Sequence, residues 1–147
     1  MDSVESTNAV RVVSRIGSMH PAHGTAVGKV QLAFLPAAEI ERLYPEVNLT
    51  PLTEKSIKTR EVLLNELKKI AEKGYALEHE EADLDVRSIA APVRDFSRNV
   101  IGAVGIVAPS HRLTEERLDK GGLISLVQEA GKAISAKMGF TLPVGKK

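Results

Sequence analysis

The side chains best suited to chemistry begin with His20 and His23, three residues apart. Two imidazoles can hold a divalent metal. Pro21 between them disfavours the helix that would bring both rings to one face, and no carboxylate stands close by in sequence. The plainer reading is a polar loop that contains two histidines. Directly after it, Gly24-Thr25-Ala26-Val27-Gly28-Lys29 invites comparison with a phosphate-binding loop. The glycine spacing is one residue short, and Val30 stands where Ser or Thr would hold a magnesium ion. What survives is a helix start. Thr25 can cap a helix beginning at Ala26, whose first amides lack intrahelical acceptors and suit a carboxylate. Water can equally satisfy those amides.

Further on, Glu78, Glu80, Glu81, Asp83 and Asp85 form an acidic run able to supply a general base or bind a cation. It lacks the Asp-x-Asp-x-Asp-Gly order of a calcium loop, and such runs commonly face solvent. Glu78 differs from the rest because it ends a short strand and is placed to face a cavity. Small residues lighten two later strands: Ala90 and Ala91 in one, Gly102, Ala103 and Gly105 in the other. They leave either room for a ligand or room for close packing. A Ser-His-Asp order, a paired-carboxylate motif and a Gly-x-Ser-x-Gly elbow are all missing from the sequence.

These residues need elements to position them. Ala9–Ile16 is β-branched and partly alternating, and reads as a strand closed by Gly17. Helices are expected from Ala26 to about Phe34 and from Ala37 to Leu43, the second stopped by Pro45. The longest amphipathic stretch is Glu54–Lys73, with Thr53 as its cap and Gly74 as a left-handed stop. Tyr75–Leu77, Val86–Arg94 and Val100–Val107 read as strands, the last two joined by the polar turn Asp95–Asn99. A helical turn, Glu115–Asp119, and a final helix, Leu123–Met138, complete the chain. A hairpin among unalternated helices predicts an α+β architecture, an antiparallel sheet with helices packed against it.

Composition narrows the function. The 147 residues fit one domain. A net charge of +1 is too weak to draw nucleic acid, and 3% aromatics provide no base-stacking platform. The absence of Cys excludes disulfides, thiolate metal sites and thiol nucleophiles. No apolar run is long enough to span a bilayer, and the polar start is unlike a secretory signal. The expected location is the cytoplasm, without contact with a membrane.

Four blocks, in order, carry a resemblance. Met19-His20-Pro21-Ala22-His23-Gly24-Thr25-Ala26-Val27-Gly28-Lys29 is the first, and Gly74-Tyr75 with Glu80-Glu81 the second. Val86-Arg87-Ser88-Ile89-Ala90-Ala91-Pro92-Val93 is the third, and Leu113-Thr114 with Arg117 the fourth. Together they resemble the effector-binding domain of IclR-type transcriptional regulators, from about Val4 to Gly139. The resemblance implies a GAF/profilin-like fold that binds a small organic acid, with no catalytic residue, cofactor or metal. It implies a homo-oligomer, dimer or tetramer. DNA would be reached only through a helix-turn-helix domain absent from residues 1–147, which read as a single, N-terminally truncated effector domain.

The family's pocket positions fall on Val12, Ala26, Val27, Glu78, Val86, Ser88, Gly105 and Val107. The acid group is expected at the start of the Ala26 helix, with Ser88 as a polar partner and Glu78 accepting hydrogen bonds from the ligand. Members that bind small keto acids present hydroxyls from the last strand; Gly105 and Val107 have none, which favours a larger or partly apolar acid. Two alternatives stand beside this reading. One is a ligand-free oligomerisation module that pairs with full-length regulators. The other is a metal-dependent hydrolase using His20, His23 and Glu78.

Overall fold

The computed structural model describes residues 2–13, 16–17 and 19–141. A short 3-10 turn, Ala22–Gly24, leads into α1 (Ala26–Ala33), followed by α2 (Ala37–Leu43) and α3 (Arg60–Lys73). The sheet is β1 (Ala76–His79), β2 (Val86–Arg94) and β3 (Val100–Pro109), and α4 (Glu115–Asp119) and α5 (Leu123–Lys137) close the chain. The strands are antiparallel in the order β1-β2-β3. The expected α+β class is the one observed.

Residues directly opposite across an antiparallel pair share a sheet face. Ala76, Ala90 and Gly105 stand in one row; Glu78, Ser88 and Val107 in the next. This face carries α1 and α3, whose Ala26, Val30, Leu63, Leu67 and Ile70 form a core with Ala76 and Ala90. On the opposite face Ile89 and Ala91 pack with Leu113, Leu118 and Val127 under α4 and α5. The slim residues serve this double layer. A Cβ on Gly131 of α5 would lie 2.8 Å from the Pro92 carbonyl oxygen and 3.3 Å from Ala91 Cβ, so α5 rests almost directly on β2. A Cβ on Gly105 would lie 2.5 Å from the Ile89 carbonyl oxygen. Close approach of backbone therefore explains Gly105, whereas Gly102 has open space around it.

Two expectations are corrected. The strand expected over Ala9–Ile16 does not form among the described residues; Ser14 and Arg15 lie outside them. Asn8–Val10 is a bend, and Val10, Val13 and Ile16 are exposed. An alternating segment becomes a strand only where an edge receives it, and each described strand pairs only with its sequence neighbours.

The long helix starts at Arg60, not Glu54, with Thr59 as its cap. Residues 52–59 are held by other bonds. Thr53 Oγ1 donates to the Glu80 carbonyl at 2.6 Å and Ser56 Oγ to the Glu81 carbonyl at 2.7 Å. The Leu49 amide donates to the Lys58 carbonyl at 2.9 Å beside an isolated Asn48–Thr59 bridge. Side-chain hydroxyls that tie the backbone to a distant loop compete with helix formation. The exits follow expectation: Gly74 ends α3 at φ +76°, and its amide donates to the Ile70 carbonyl at 2.8 Å.

Candidate functional site

Glu78 and Ser88 face one another across β1 and β2. Both are nearly buried, at 4% and 6% exposure. Ser88 Oγ donates to Glu78 Oε2 at 2.8 Å. Glu78 Oε1 accepts the amides of Glu81, at 2.7 Å, and Ala82, at 3.3 Å. A buried carboxylate needs hydrogen-bond donors in place of the water it loses, and this one has three. Glu78 therefore performs a local task as well: it fastens the turn leaving β1, where Glu80 adopts a left-handed φ of +57°.

The start of α1 lies beside this turn. A Cβ on Gly24 would touch Leu52 Cδ1 at 3.0 Å and Ala82 Cα at 3.9 Å. Thr25 Oγ1 accepts the Gly28 amide at 3.1 Å, as its cap role requires. Gly28 has no alternative residue here, because a Cβ would sit 2.3 Å from the Ala22 carbonyl oxygen. The amides of Ala26 and Val27 precede the first intrahelical acceptor.

Seven of the eight expected site residues thus gather where α1 meets one sheet face: Ala26, Val27, Glu78, Val86, Ser88, Gly105 and Val107. They divide into two zones. Ala26, Glu78 and Ser88 are buried by the protein's own atoms, whereas Val27, Gly105 and Val107 are exposed and Val86 is half-buried. Val12 is half-buried and stands outside any strand.

Sequence reading missed a buried ion pair next to the site. Lys29 of α1 is 1% exposed, and its Nζ lies 2.8 and 3.0 Å from the two carboxylate oxygens of Glu81. Burial pushes the Glu81 carboxyl above its ordinary pKa, with the Lys29 charge and hydrogen bond opposing. The available signal was that Lys29 is the lone charge in Ala26–Ala33. The pair also lines a cleft of about 410 Å³ with Lys55, Ile57, Val62, Asn65, Glu66 and Lys69. That cleft does not include the expected ligand residues.

The two histidines of the first block separate. His20 is exposed, whereas His23 is 5% exposed and meets the Tyr44 ring edge-on at 5.7 Å. Neither His23 nitrogen makes a hydrogen bond of good geometry among the described residues, although the Thr50 backbone lies close enough to favour the protonated ring. Burial lowers the His23 pKa and nearby Lys29 adds to this, while the Thr50 backbone opposes. No group of three metal-capable side chains converges among the described residues, so the hydrolase alternative loses the cluster it needs.

The comparisons fall in line with this geometry. The family described as "Bacterial transcriptional regulator IclR C-terminal" matches residues 1–136. The chain belongs to the IclR family. It is 36% identical over 137 residues to the HTH-type transcriptional regulator KdgR of Escherichia coli, covering 93% of this chain and 51% of that protein. Thermotoga maritima IclR superposes with a TM-score of 0.85 at 32% identity, over 95% of this chain and 56% of that one. The C-terminal domain of E. coli KdgR superposes with a TM-score of 0.76 at 34% identity, over 95% of this chain and 84% of that one. The chain spans about half the length of the curated relatives it matches. It is the C-terminal regulatory domain of an IclR-type regulator, and its relatives are named as transcriptional regulators rather than enzymes. Among the described residues no helix is long and apolar enough to cross a membrane.

Proposed function

We propose that this IclR-type domain senses a small organic acid in the cytoplasm and passes its occupancy to an oligomer. The acid group sits at the α1 amides of Ala26 and Val27, and the remainder of the ligand lies along the sheet face of Glu78, Val86, Ser88, Gly105 and Val107. One observation supports this reading: Ala26 at the helix start packs in one core with Ala76 and Ala90, the row next to the Glu78–Ser88 pair on the same sheet face. A ligand that bridges them favours the conformation that holds both together, to the extent that it binds that conformation more tightly. DNA is contacted through a helix-turn-helix domain outside residues 1–147, and these residues act as one effector domain.

The test is a thermal-shift screen of organic acids on the wild type and on Ser88→Ala. Ser88→Ala leaves Glu78 with both loop amides, so the fold is expected to hold while ligand-induced stabilisation falls. Equal stabilisation of both proteins by a binding acid counts against the site.

A second reading has an observation of its own. β3 contains no charged residue, pairs on one side only among the described residues, and exposes Ile101 and Val107 at 49% and 50%. Long apolar edges recruit further strands, which supports an oligomerisation module that needs no ligand. Under that reading sedimentation gives a concentration-dependent oligomer that Ile101→Lys dissolves, and no acid in the screen binds.

A further inference from the structure

We propose that the cleft between α3 and residues 52–59 binds an α-amino acid with an aliphatic side chain, at a place separate from the acid site. The cleft encloses about 410 Å³, within the roughly 300–1,000 Å³ range of small-molecule pockets. Its floor is the buried Lys29–Glu81 pair. One wall is a helical stripe. Val62, Asn65, Glu66 and Lys69 recur at steps of three and four residues, so they share a face of α3. The other wall is Lys55 and Ile57, in a segment that Thr53 and Ser56 fasten to the carbonyls of Glu80 and Glu81.

Charge decides what fits. Lys29 is held by both oxygens of Glu81, and Lys55 is paired with Glu80. Those charges cancel within the protein. Glu66 and Lys69 differ: neither belongs to an ion pair among the described residues. Their spacing allows one, because Glu39 and Arg42, the same three residues apart on α2, are paired at 2.9 Å. The cleft therefore presents one unpaired carboxylate and one unpaired ammonium, a turn apart, to the same space. A simple carboxylate would pair with Lys69 but set its charge beside Glu66, and a simple amine would do the reverse. A zwitterion satisfies both. Its carboxylate faces Lys69, with the Asn65 side-chain amide as a further donor, and its ammonium donates to Glu66. An α-amino acid carries these two charges on adjacent carbons, which suits partners whose Cβ atoms lie about 5–6 Å apart at this helical spacing. Val62 is 53% exposed and Ile57 half-buried, so an aliphatic side chain lying over them removes apolar surface from water. An occupant holds α3 against residues 52–59, whose hydroxyls fix the turn carrying Glu81 and, through Lys29, α1. The cleft is thus a second place at which a metabolite biases this domain, by binding one arrangement of these parts more tightly than another.

The test is a titration of the isotopically labelled chain with L-leucine and L-valine, followed by amide chemical shifts. Two leucine analogues, each lacking one charge, go beside them: isocaproate and isopentylamine. Saturable shifts are expected at Asn65, Glu66 and Lys69 with at least one of the amino acids. Each analogue is expected to bind about fivefold more weakly, the upper end of what a part-exposed ion pair supplies. Glu66→Gln and Lys69→Met change side chains outside the core, so each should keep the wild-type circular dichroism spectrum and weaken amino-acid binding to a similar extent. No saturable shift at these amides with either amino acid overturns the proposal. So does an analogue that binds as tightly as leucine, or a binding constant that either folded variant leaves unchanged. The acid site reports through Ala26, Val27 and Ser88 instead, so the two readings fail separately.

Discussion

The buried Lys29–Glu81 pair allows a quantitative test. Lys29 is 1% exposed and its Nζ bonds both oxygens of Glu81, a side chain with only 14% of its surface in solvent. Lys29→Met removes the ammonium and keeps the apolar stem. Glu81 is then left beside α1 without its counter-charge. Breaking a buried ion pair from one side costs about 3–5 kcal/mol. Glu81 keeps some water and can take up a proton, so the lower end of that range, about 3 kcal/mol, is expected at pH 7.5. For a chain of this length the corresponding fall in Tm is about 10 °C. The loss should also depend on pH. Burial already raises the Glu81 carboxyl above its ordinary 4.5, and loss of Lys29 raises it further. A carboxyl with a folded pKa above its unfolded value weakens the fold most at pH above the folded value. The penalty is relieved as pH falls towards 4.5. Urea unfolding followed by circular dichroism at pH 7.5 and pH 5.5 should therefore give a smaller difference between variant and wild type at the lower pH. Lys29→Met combined with Glu81→Gln should recover most of the loss. A single-variant loss below about 1 kcal/mol, the size of a surface pair, and equal at both pH values, would show that Lys29 and Glu81 do not form a buried pair.

Two further outcomes follow from buried contacts. His23 is held below its ordinary 6.5 by burial, so the wild type should lose stability as pH falls through 6.5, where the unfolded imidazole gains a proton that the folded one resists. His23→Phe keeps an aromatic edge against Tyr44 and should flatten the Tm–pH curve below 6.5; an unchanged slope would contradict the burial of this ring. Gly131→Ala should destabilise by about 1–3 kcal/mol through its clash with the Pro92 carbonyl, whereas Gly102→Ala, with open space around it, should change the unfolding midpoint little.

Local patterns in the sequence were legible where local chemistry decides the structure. Thr25 and Thr114 cap the helices they were expected to cap, and Gly74 takes its left-handed stop. The β2–β3 hairpin follows its alternating small residues and the polar turn at Asp95, whose Oδ1 accepts the Ser97 and Asn99 amides at 2.9 and 3.2 Å. Patterns failed where a distant partner decides. Thr53 looked like a helix cap, but its hydroxyl is drawn to the Glu80 carbonyl, 27 residues away. Ala9–Ile16 has strand composition, but composition does not supply a neighbouring edge. The site was half legible. Glu78 was picked out by its place at the end of a strand, and Ser88 through the family resemblance. The pairing of Lys29 with Glu81 cannot be read from residue spacing, because it depends on how α1 lies over the turn that leaves β1.

The proposed ligand site joins the α1 opening to the Glu78–Ser88 face. Amide chemical shifts of the isotopically labelled chain, recorded while the best-binding organic acid is titrated in, read this out residue by residue. Coherent, saturable shifts are expected at Ala26, Val27, Glu78, Ser88 and Val107. Shifts confined to the cleft around Lys55, Glu66 and Lys69, with the α1 and sheet amides unmoved, would contradict it.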